Sequence, residues 1–205
     1  VGSEMCIRDS VGSEMCIRDS LDTLQKKDLG KFKLGQSLLL SGKILTARDA
    51  AHKKLKELAD NNQPLPDGLD LKNRFIYYVG PVDPVGNEVV GPAGPTTSSR
   101  MDKYSSLMLE DYGVIGMIGK AERGKEALKS IKKNKAVYLI AVGGSAYLIS
   151  QAIKSSKLIA FAELGMEAIY EFEVKDMPVT LAANTDGESL HEEGVKKWNA
   201  VLMKY

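Results

Sequence analysis

Several short segments of this sequence place a cation, a hydroxyl or a glycine turn directly after a predicted strand. They are Thr46 to Arg48, Thr96 to Arg100, Gly119-Lys120 and Gly143-Gly144-Ser145. In α/β folds the ends of strands are where binding sites assemble. If Arg48, Arg100 and Lys120 converge, two planar guanidinium groups and one ammonium group can neutralise a small dianion. The alternative is that each is a solvated surface cation, as most arginines and lysines are.

The stretch from Gly91 to Arg100 has the composition of an anion-binding loop. Its glycines and prolines fix a tight turn, and the hydroxyls of Thr96 to Ser99 can cap a helix that begins there. Free backbone N–H groups and the positive end of the helix dipole would then face the anion. Arg100 adds a fork suited to a carboxylate or phosphate. An ordinary capped helix after a turn has the same composition, so this segment alone leaves both interpretations open.

The histidines and the glycine-lysine run of the sequence carry weaker signals. His52 lies one turn past Arg48 on the predicted first helix, where it can carry a proton, support a neighbour or simply pack. His191 lies near the polar tail, and we assign it no role. The run from Gly119 to Lys125 lacks the spacing of a P-loop, and no G-x-G-x-x-G fingerprint opens a helix. Nucleotide chemistry therefore has little support.

The elements that must position these residues alternate between strand and helix. The apolar patterns predict strands at 36–45, 74–82, 113–120, 136–142, 158–161, 168–174 and 179–183. They predict helices from Thr46, as N-cap, to about 58, and at 97–112, 122–133, up to 153, and 188–205. Because this alternation has no internal linker, it predicts one α/β domain.

Residues 1–10 recur letter for letter as residues 11–20. No repeat architecture needs identity over two copies of ten residues, and the segment has none of the features of a signal peptide. We therefore predict that residues 1–20 are an artefactual, non-native tandem repeat and that the domain occupies residues 21–205. The chain begins with Val1, and we expect it to be a fragment of a longer protein.

The composition outside this repeat excludes several classes of protein. Both cysteines, Cys6 and Cys16, lie in the repeat, so residues 21–205 form no disulfide and offer no thiolate to zinc or iron. Without the repeat, 26 basic and 23 acidic residues remain, a balance that argues against a dedicated nucleic-acid binder. Because no apolar run approaches eighteen residues, we expect a cytoplasmic protein that does not enter a membrane.

Five motifs, in order, resemble the carboxy-terminal (β) region of class I, iron–sulfur fumarate hydratases. They are Leu40 to His52, Tyr77 to Val82, Gly91 to Asp102, Met117 to Gly124 and Leu164 to Tyr170. The resemblance extends over residues 36–198 and is closer to the single-chain enzymes than to the separate β subunits of tartrate dehydratase. It implies a swivelling β/β/α-type single domain.

The resemblance also implies an activity, the reversible hydration of fumarate to (S)-malate, and roles for individual residues. By position, Arg48, Arg100 and Lys120 resemble the ligands of the substrate carboxylates, and Thr96 resembles the proposed catalytic base. In the family an iron acts as Lewis acid on the C2 hydroxyl while a base handles the C3 proton. Three further residues are candidates for contacts that support these groups without touching the substrate. They are His52, Asp49 and Thr97.

The cofactor and the partners implied by the resemblance lie outside this chain. A [4Fe–4S] cluster would be supplied by an α region, joined in cis or in trans, and this chain would provide no metal ligand. The complete enzyme would be a homodimer of the tricarboxylic acid cycle that takes a dicarboxylate substrate. Two alternatives stay open, a tartrate dehydratase β subunit and a dicarboxylate-binding domain without catalysis.

Overall fold

A computed structural model of the chain describes residues 17–141 and 146–203 and places the strands in one sheet. The strands are β1 (Ile17–Ser20), β2 (Ser37–Thr46), β3 (Phe75–Tyr77), β4 (Gly116–Gly119), β5 (Val137–Ile140), β6 (Ile153–Ala160) and β7 (Ile169–Ala183). The α-helices are α1 (Asp49–Asp60), α2 (Lys125–Asn134), α3 (Ala146–Ala152) and α4 (Leu190–Leu202). Shorter 3₁₀ helices span Lys26–Lys31, Ser98–Tyr104 and Ala162–Glu167, and a π-helical turn spans Leu107–Asp111. The predicted single α/β domain is confirmed.

The order of the strands brings several strand ends together. Strands β2, β3, β4 and β5 lie side by side and parallel, so their carboxyl ends share one edge of the sheet, here called the carboxyl edge. Strand β7 runs antiparallel and pairs with both β5 and β2, which curls the sheet back onto itself. Strand β1 extends β2, and β6 pairs with β7. Any site built from strand exits must therefore lie at the carboxyl edge.

The central strands are buried on both faces because their side chains alternate between two apolar clusters. Phe75 and Tyr77 of β3 enter one cluster, whereas Ile76 enters the other. The first cluster joins residues of β2, β5 and β7. The second also takes in α1, α2 and the 3₁₀ helix Ser98–Tyr104, so the helices nearest the carboxyl edge rest on it. Burial on both faces explains the continuous apolar runs in the sequence.

The two strands predicted at 168–174 and 179–183 form one strand, β7, so that prediction was wrong. A bulge absorbs the expected break. Asp176 adopts a positive φ of 53° there, and its N–H donates to Ser41 Oγ at 3.0 Å. The partner strand shifts register between Leu40 and Gly42 at the same place. The strand predicted at 158–161 is also longer, since β6 begins at Ile153.

Thr46 does not cap the first helix, contrary to the prediction. Helix α1 begins at Asp49, with Arg48 in the N-cap position. The buried Thr46 hydroxyl instead donates to the carbonyl of Ala168 at 3.3 Å and accepts the N–H of Tyr170 at 2.9 Å. This threonine therefore joins the end of β2 to the start of β7.

The duplicated amino-terminal segment contributes one strand to the sheet. Its last four residues form β1, which pairs with the first half of β2. The origin of residues 1–20 stays a prediction. The predicted turn Gly143-Gly144-Ser145 lies outside the described residues.

Helix α4 presents its apolar side to solvent. Trp198 is 64% exposed, and Val195 and Leu202 are exposed beside it. An apolar face of this kind on a lone domain is a common mark of a protein contact. Within the described ranges, no helix has the length and hydropathy needed to cross a lipid bilayer.

Candidate active site

Three of the predicted site segments leave the sheet at the carboxyl edge. Arg48 follows β2 by two residues, and Lys120 follows β4 directly. Thr96 lies between the ends of β3 and β4, because its N–H donates to the carbonyl of Tyr78 at 2.8 Å and its carbonyl accepts the N–H of Lys120 at 3.2 Å. Strand order therefore brings together segments that are far apart in the sequence.

Asp49 lies between the two predicted carboxylate-binding arginines. Its Oδ2 is 3.4 Å from Arg48 Nε and 3.2 Å from Arg100 Nη2. The Arg100 side chain is 47% exposed, and that of Arg48 is 21% exposed. Because both guanidinium groups approach one carboxylate oxygen, both can approach a carboxylate of a ligand. The two arginines therefore approach each other at Asp49, and their binding of a substrate carboxylate stays a prediction.

Glu167 forms a second ion pair with Arg48, at the same Nε that faces Asp49, and no spacing in the sequence indicates it. Glu167 Oε1 lies 3.3 Å from Arg48 Nε, and Oε2 accepts the N–H of Ala50 at 2.7 Å. A Cβ at Gly80 would lie 3.0 Å from Arg48 Nη1, so glycine lets the arginine cross that backbone. Because Glu167 follows Ala50 by 117 residues, only the fold can bring it to α1.

The Thr96 hydroxyl is half-buried beside the end of β3. It donates to the carbonyl oxygen of Tyr78 at 2.9 Å. A hydroxyl that donates in this way still has two lone pairs with which it can accept hydrogen bonds. Its neighbour through the backbone is the exposed Lys120, whose positive charge favours negative charge developing nearby.

Fewer backbone N–H groups are free in the predicted anion-binding loop than the sequence suggests. The N–H groups of Thr96 and Ser98 are engaged, since they donate to the carbonyls of Tyr78 and Lys120. Thr97 occupies the N-cap position of the 3₁₀ helix Ser98–Tyr104, and no side chain caps it. The predicted cap and the continuous helix at 97–112 were therefore wrong. Two of the backbone N–H groups expected to face an anion are therefore not available to one.

His52 is fully buried beneath the site. Its Nδ1 lies 2.8 Å from the carbonyl oxygen of Arg48, and its ring centroid lies 5.5 Å from those of Tyr78 and Tyr104. Burial lowers the pKa of His52 to about 4, so the ring is neutral at pH 7. A carbonyl only accepts, so Nδ1 carries the proton. His52 thus donates a hydrogen bond that holds the backbone carbonyl of Arg48 in place.

A buried ion pair lies behind the 3₁₀ helix that carries Arg100. Arg123 Nε donates to Asp102 Oδ1 at 2.6 Å, and the Arg123 side chain is fully buried. No pattern in the sequence distinguishes this arginine from the neighbouring surface cations. Its motif, Met117 to Gly124, was the one available signal.

The described residues do not fit a metal centre. In the ranges 17–141 and 146–203, no three His, Cys, Asp or Glu side chains lie together as the ligands of a metal ion would. The cysteines of the sequence, Cys6 and Cys16, precede these ranges. An iron–sulfur cluster would need ligands that these residues do not provide.

Comparison with known proteins connects this geometry to a family. A family model described as Fumarase C-terminus matches residues 8–194. Fumarate hydratase 2 of Leishmania major is 35% identical over 169 residues, which are 82% of this chain and 29% of that protein. The anaerobic class I fumarate hydratase of Escherichia coli is 36% identical over 170 residues, 82% of this chain and 31% of that protein. The chain thus spans under a third of these hydratases.

A shorter relative is matched over most of its own length. A candidate L(+)-tartrate dehydratase subunit beta of Methanocaldococcus jannaschii is 39% identical over 179 residues. These residues are 85% of this chain and 91% of that subunit. The matched region therefore occurs both as part of a long chain and as a separate subunit.

Proposed function

The chain belongs to the Fumarase C-terminus family, and on that premise we propose that it is the carboxy-terminal catalytic domain of a class I fumarate hydratase. The proposed reaction is the reversible hydration of fumarate to (S)-malate. The observation that carries the proposal is the approach of Arg48 and Arg100 to one carboxylate, Asp49. Thr96, four residues before Arg100, accepts the backbone N–H of Lys120 at the same edge of the sheet. Enzymatic hydration of a dicarboxylate needs cations that bind the carboxylates and a group that accepts or donates a proton at the reacting carbon.

In this proposal, Arg48, Arg100 and Lys120 bind the substrate carboxylates. The guanidinium groups offer planar forks, and the ammonium group offers a point charge. Asp49 and Glu167 already offset part of the positive charge, so the incoming carboxylate competes with Asp49 for the arginines. When no ligand is bound, the ion pairs with Asp49 and Glu167 hold the arginines in place.

Thr96 is the proposed catalytic base. A threonine hydroxyl is a weak base and needs strong local activation. The hydrogen bond from its hydroxyl to the Tyr78 carbonyl fixes the oxygen in place, and the nearby cations favour negative charge on it. Thr97, Asp49 and His52 support these groups: Thr97 pairs with Lys120 across a parallel bridge, and His52 holds the carbonyl of Arg48.

The proposed [4Fe–4S] cluster belongs to an α region, in cis or in trans, because the described residues of this chain do not fit one. The complete enzyme is proposed to be a cytoplasmic homodimer of the tricarboxylic acid cycle. What this chain contributes is the binding and orientation of the dicarboxylate and one proton acceptor.

A tartrate dehydratase β subunit is the second candidate. It is favoured by the high coverage of the M. jannaschii subunit, whose length the chain nearly matches. Tartrate and malate share two carboxylates, so the same cations serve both. The two candidates differ in the substrate that is turned over.

The deciding experiment measures anaerobic hydration of fumarate by the full chain, alone and with a reconstituted cluster-bearing α region of a class I fumarate hydratase. We expect activity only in the mixture, and we expect L(+)-tartrate to be a poor substrate. Preference for tartrate would select the second candidate. Activity with neither substrate, despite a stable complex and an intact cluster, would contradict both.

Two variants then test the proposed roles in the same mixture. Thr96→Ala should lower kcat far more than it raises KM, because it removes the base without removing a carboxylate ligand. Thr96→Ser is the matched control and should retain part of the turnover. Unchanged kcat in Thr96→Ala would exclude Thr96 from the mechanism.

A further inference from the structure

Arg123 is the most completely buried cation in the described part of the chain, and its contacts use the whole guanidinium group. Nε donates to Asp102 at 2.6 Å, and Nη2 donates to Ser105 Oγ at 2.8 Å. Nη1 lies 3.5 Å from the hydroxyl of Tyr78 and 3.4 Å from Met117 Sδ. No face of this arginine remains for a ligand.

Two tyrosines complete the surroundings of Arg123. The guanidinium carbon lies 5.5 Å from the ring centroid of Tyr78 and 5.0 Å from that of Tyr138, which is the range of cation–π attraction. A buried ion pair seldom adds stability over a well-packed apolar pair of similar size. The directional contacts of Arg123 therefore suggest a role in placing its neighbours.

The ion pair ties together two segments that each carry a proposed substrate cation. Asp102 lies on the 3₁₀ helix Ser98–Tyr104, two residues after Arg100. Its second oxygen accepts the N–H of Gly124 at 2.6 Å. Arg123 and Gly124 follow Lys120 in the chain, so one aspartate connects the Arg100 helix to the segment that leaves β4.

A second connection joins the same two segments at the other end of the helix. The Tyr138 hydroxyl lies 2.8 Å from Ser98 Oγ and 2.8 Å from the carbonyl oxygen of Ala121. A Cβ at Gly119 would lie 2.9 Å from the Tyr78 ring and even closer to Ser98, so the helix start is pressed against β4. Arg100 therefore sits between two fixed points, one at Ser98 and one at Asp102.

We propose that Arg123 and Asp102 are positioning residues that set the separation of Arg100 and Lys120, and so match the two cations to the length of a small dicarboxylate. This inference rests on the proposed function, because it concerns the residues that bind the substrate. Arg123 acts through Asp102 and the 3₁₀ helix, and it makes no contact with the substrate itself.

The test compares Arg123→Lys with Arg74→Lys in the complete enzyme, assembled with its cluster-bearing region. Arg74 is a matched control, because its Nη2 forms a 2.6 Å half-buried ion pair with Glu171 outside the site. Arg123→Lys keeps the charge but loses the fork to Asp102 and Ser105. We expect it to raise KM for fumarate and Kd for succinate by tenfold or more, with kcat changed less. Arg74→Lys should leave both within twofold.

A background variant separates positioning from a general loss of stability. In Arg100→Lys enzyme, the further increase in KM caused by Arg123→Lys should shrink to twofold or less, since the cation being placed has already been altered. If Arg123→Lys fails to fold, Asp102→Asn provides the same comparison. Equal KM effects of Arg123→Lys and Arg74→Lys, or full additivity with Arg100→Lys, would overturn the proposal.

The wild-type assembly distinguishes this inference from the proposed function. If it hydrates fumarate while the Arg123 and Arg74 variants behave alike, only the positioning role fails. If it turns over tartrate instead, the succinate Kd still decides the positioning role. If it neither turns over a dicarboxylate nor binds succinate, the proposed function and the positioning role fail together.

Discussion

Arg100 lies on the 3₁₀ helix Ser98–Tyr104 and Arg123 packs against it; each is paired with an aspartate, yet their surroundings differ completely. Arg100 is 47% exposed and lies 3.2 Å from Asp49. Arg123 is fully buried and contacts Asp102, Ser105 and aromatic rings. The first arginine can exchange its partner for a ligand, whereas the second has no contact that it can give up.

In this comparison burial, rather than charge or spacing, distinguishes the proposed binding cation, Arg100, from the buried Arg123. An exposed ion pair gains little free energy and is therefore easily replaced by a ligand carboxylate. A buried pair cannot lose one member without leaving a charge in a medium of low dielectric. Removal of Arg123 should therefore cost much more stability than removal of Arg100.

The largest effect is expected for the buried arginine. Arg123→Met should lower the free energy of unfolding by about 3–5 kcal/mol, because it leaves Asp102 without its cation. Arg100→Met should change it by less than about 0.5 kcal/mol, as is usual at exposed positions. Urea denaturation of both variants measures the difference. Equal losses of stability would contradict the distinction drawn between the two arginines.

The second effect concerns pH and the buried His52. The folded-state pKa of about 4 lies below the ordinary 6.5, so the unfolded chain takes up the proton first as the pH falls. Stability is therefore complete above pH 6.5 and is lost as the pH falls toward 4. Between pH 7 and 4.5, wild-type protein should lose on the order of 2–3 kcal/mol more than His52→Gln.

Urea denaturation across this pH range tests the prediction, with His191→Gln as control. His191 is half-buried on α4, so this variant controls for the removal of a histidine elsewhere in the domain. If the free energy of unfolding of His52→Gln falls with pH as steeply as that of the wild type, other groups cause the acid sensitivity.

The third effect sharpens the comparison at the exposed arginine. Arg100→Ala should weaken succinate binding to the assembled enzyme by about tenfold to a hundredfold, because a charge-assisted hydrogen bond is lost. Isothermal titration calorimetry measures it. Lys103→Ala removes an exposed cation from the same helix and should leave the affinity unchanged. A similar loss in both variants would indicate a general electrostatic effect instead of a specific contact.

The smallest effect is expected for a fully exposed ion pair on α2. Lys129 and Glu126 form a 2.7 Å ion pair one turn apart on α2, and both side chains are more than 70% exposed. Glu126→Gln should change the free energy of unfolding by less than about 0.5 kcal/mol. A loss above about 1 kcal/mol in urea denaturation would show that exposure alone does not predict how much an ion pair contributes to the stability of this domain.

Arg48 and Lys120 were predictable at one edge because both follow strand exits, and parallel neighbouring strands end at one edge. The place of Arg100 depends on the fold, because it lies on a 3₁₀ helix after a long loop from β3. The α/β class was predictable, since apolar runs alternate with helical patterns. Motif resemblance added the role of Thr96 as a base and assigned the three cations to the substrate carboxylates. These roles stay predictions until the variants are measured.

Glu167 and Asp102 lie in motifs of the resemblance, but their contacts could not be predicted from the sequence, because their partners are far along the chain. Thr46 looks like a helix cap, yet its hydroxyl serves a distant strand. The bulge at Asp176 shows the same limit, since local signals for a break were overruled by pairing with β2. Tertiary contacts, which no local pattern contains, decided each case.

The long strand β7 has a consequence for how the domain is made. Ser37 at the start of β2 pairs with Thr180, and Tyr138 of β5 pairs with Ala183. Synthesis must therefore pass residue 183 before the sheet can close, and pairings this distant slow folding. Until then, β2 and β5 emerge from the ribosome with open edges that neighbouring chains can occupy. The proposed substrate-binding residues precede β7 in the chain, but they reach their final geometry only when β7 has paired with β2 and β5.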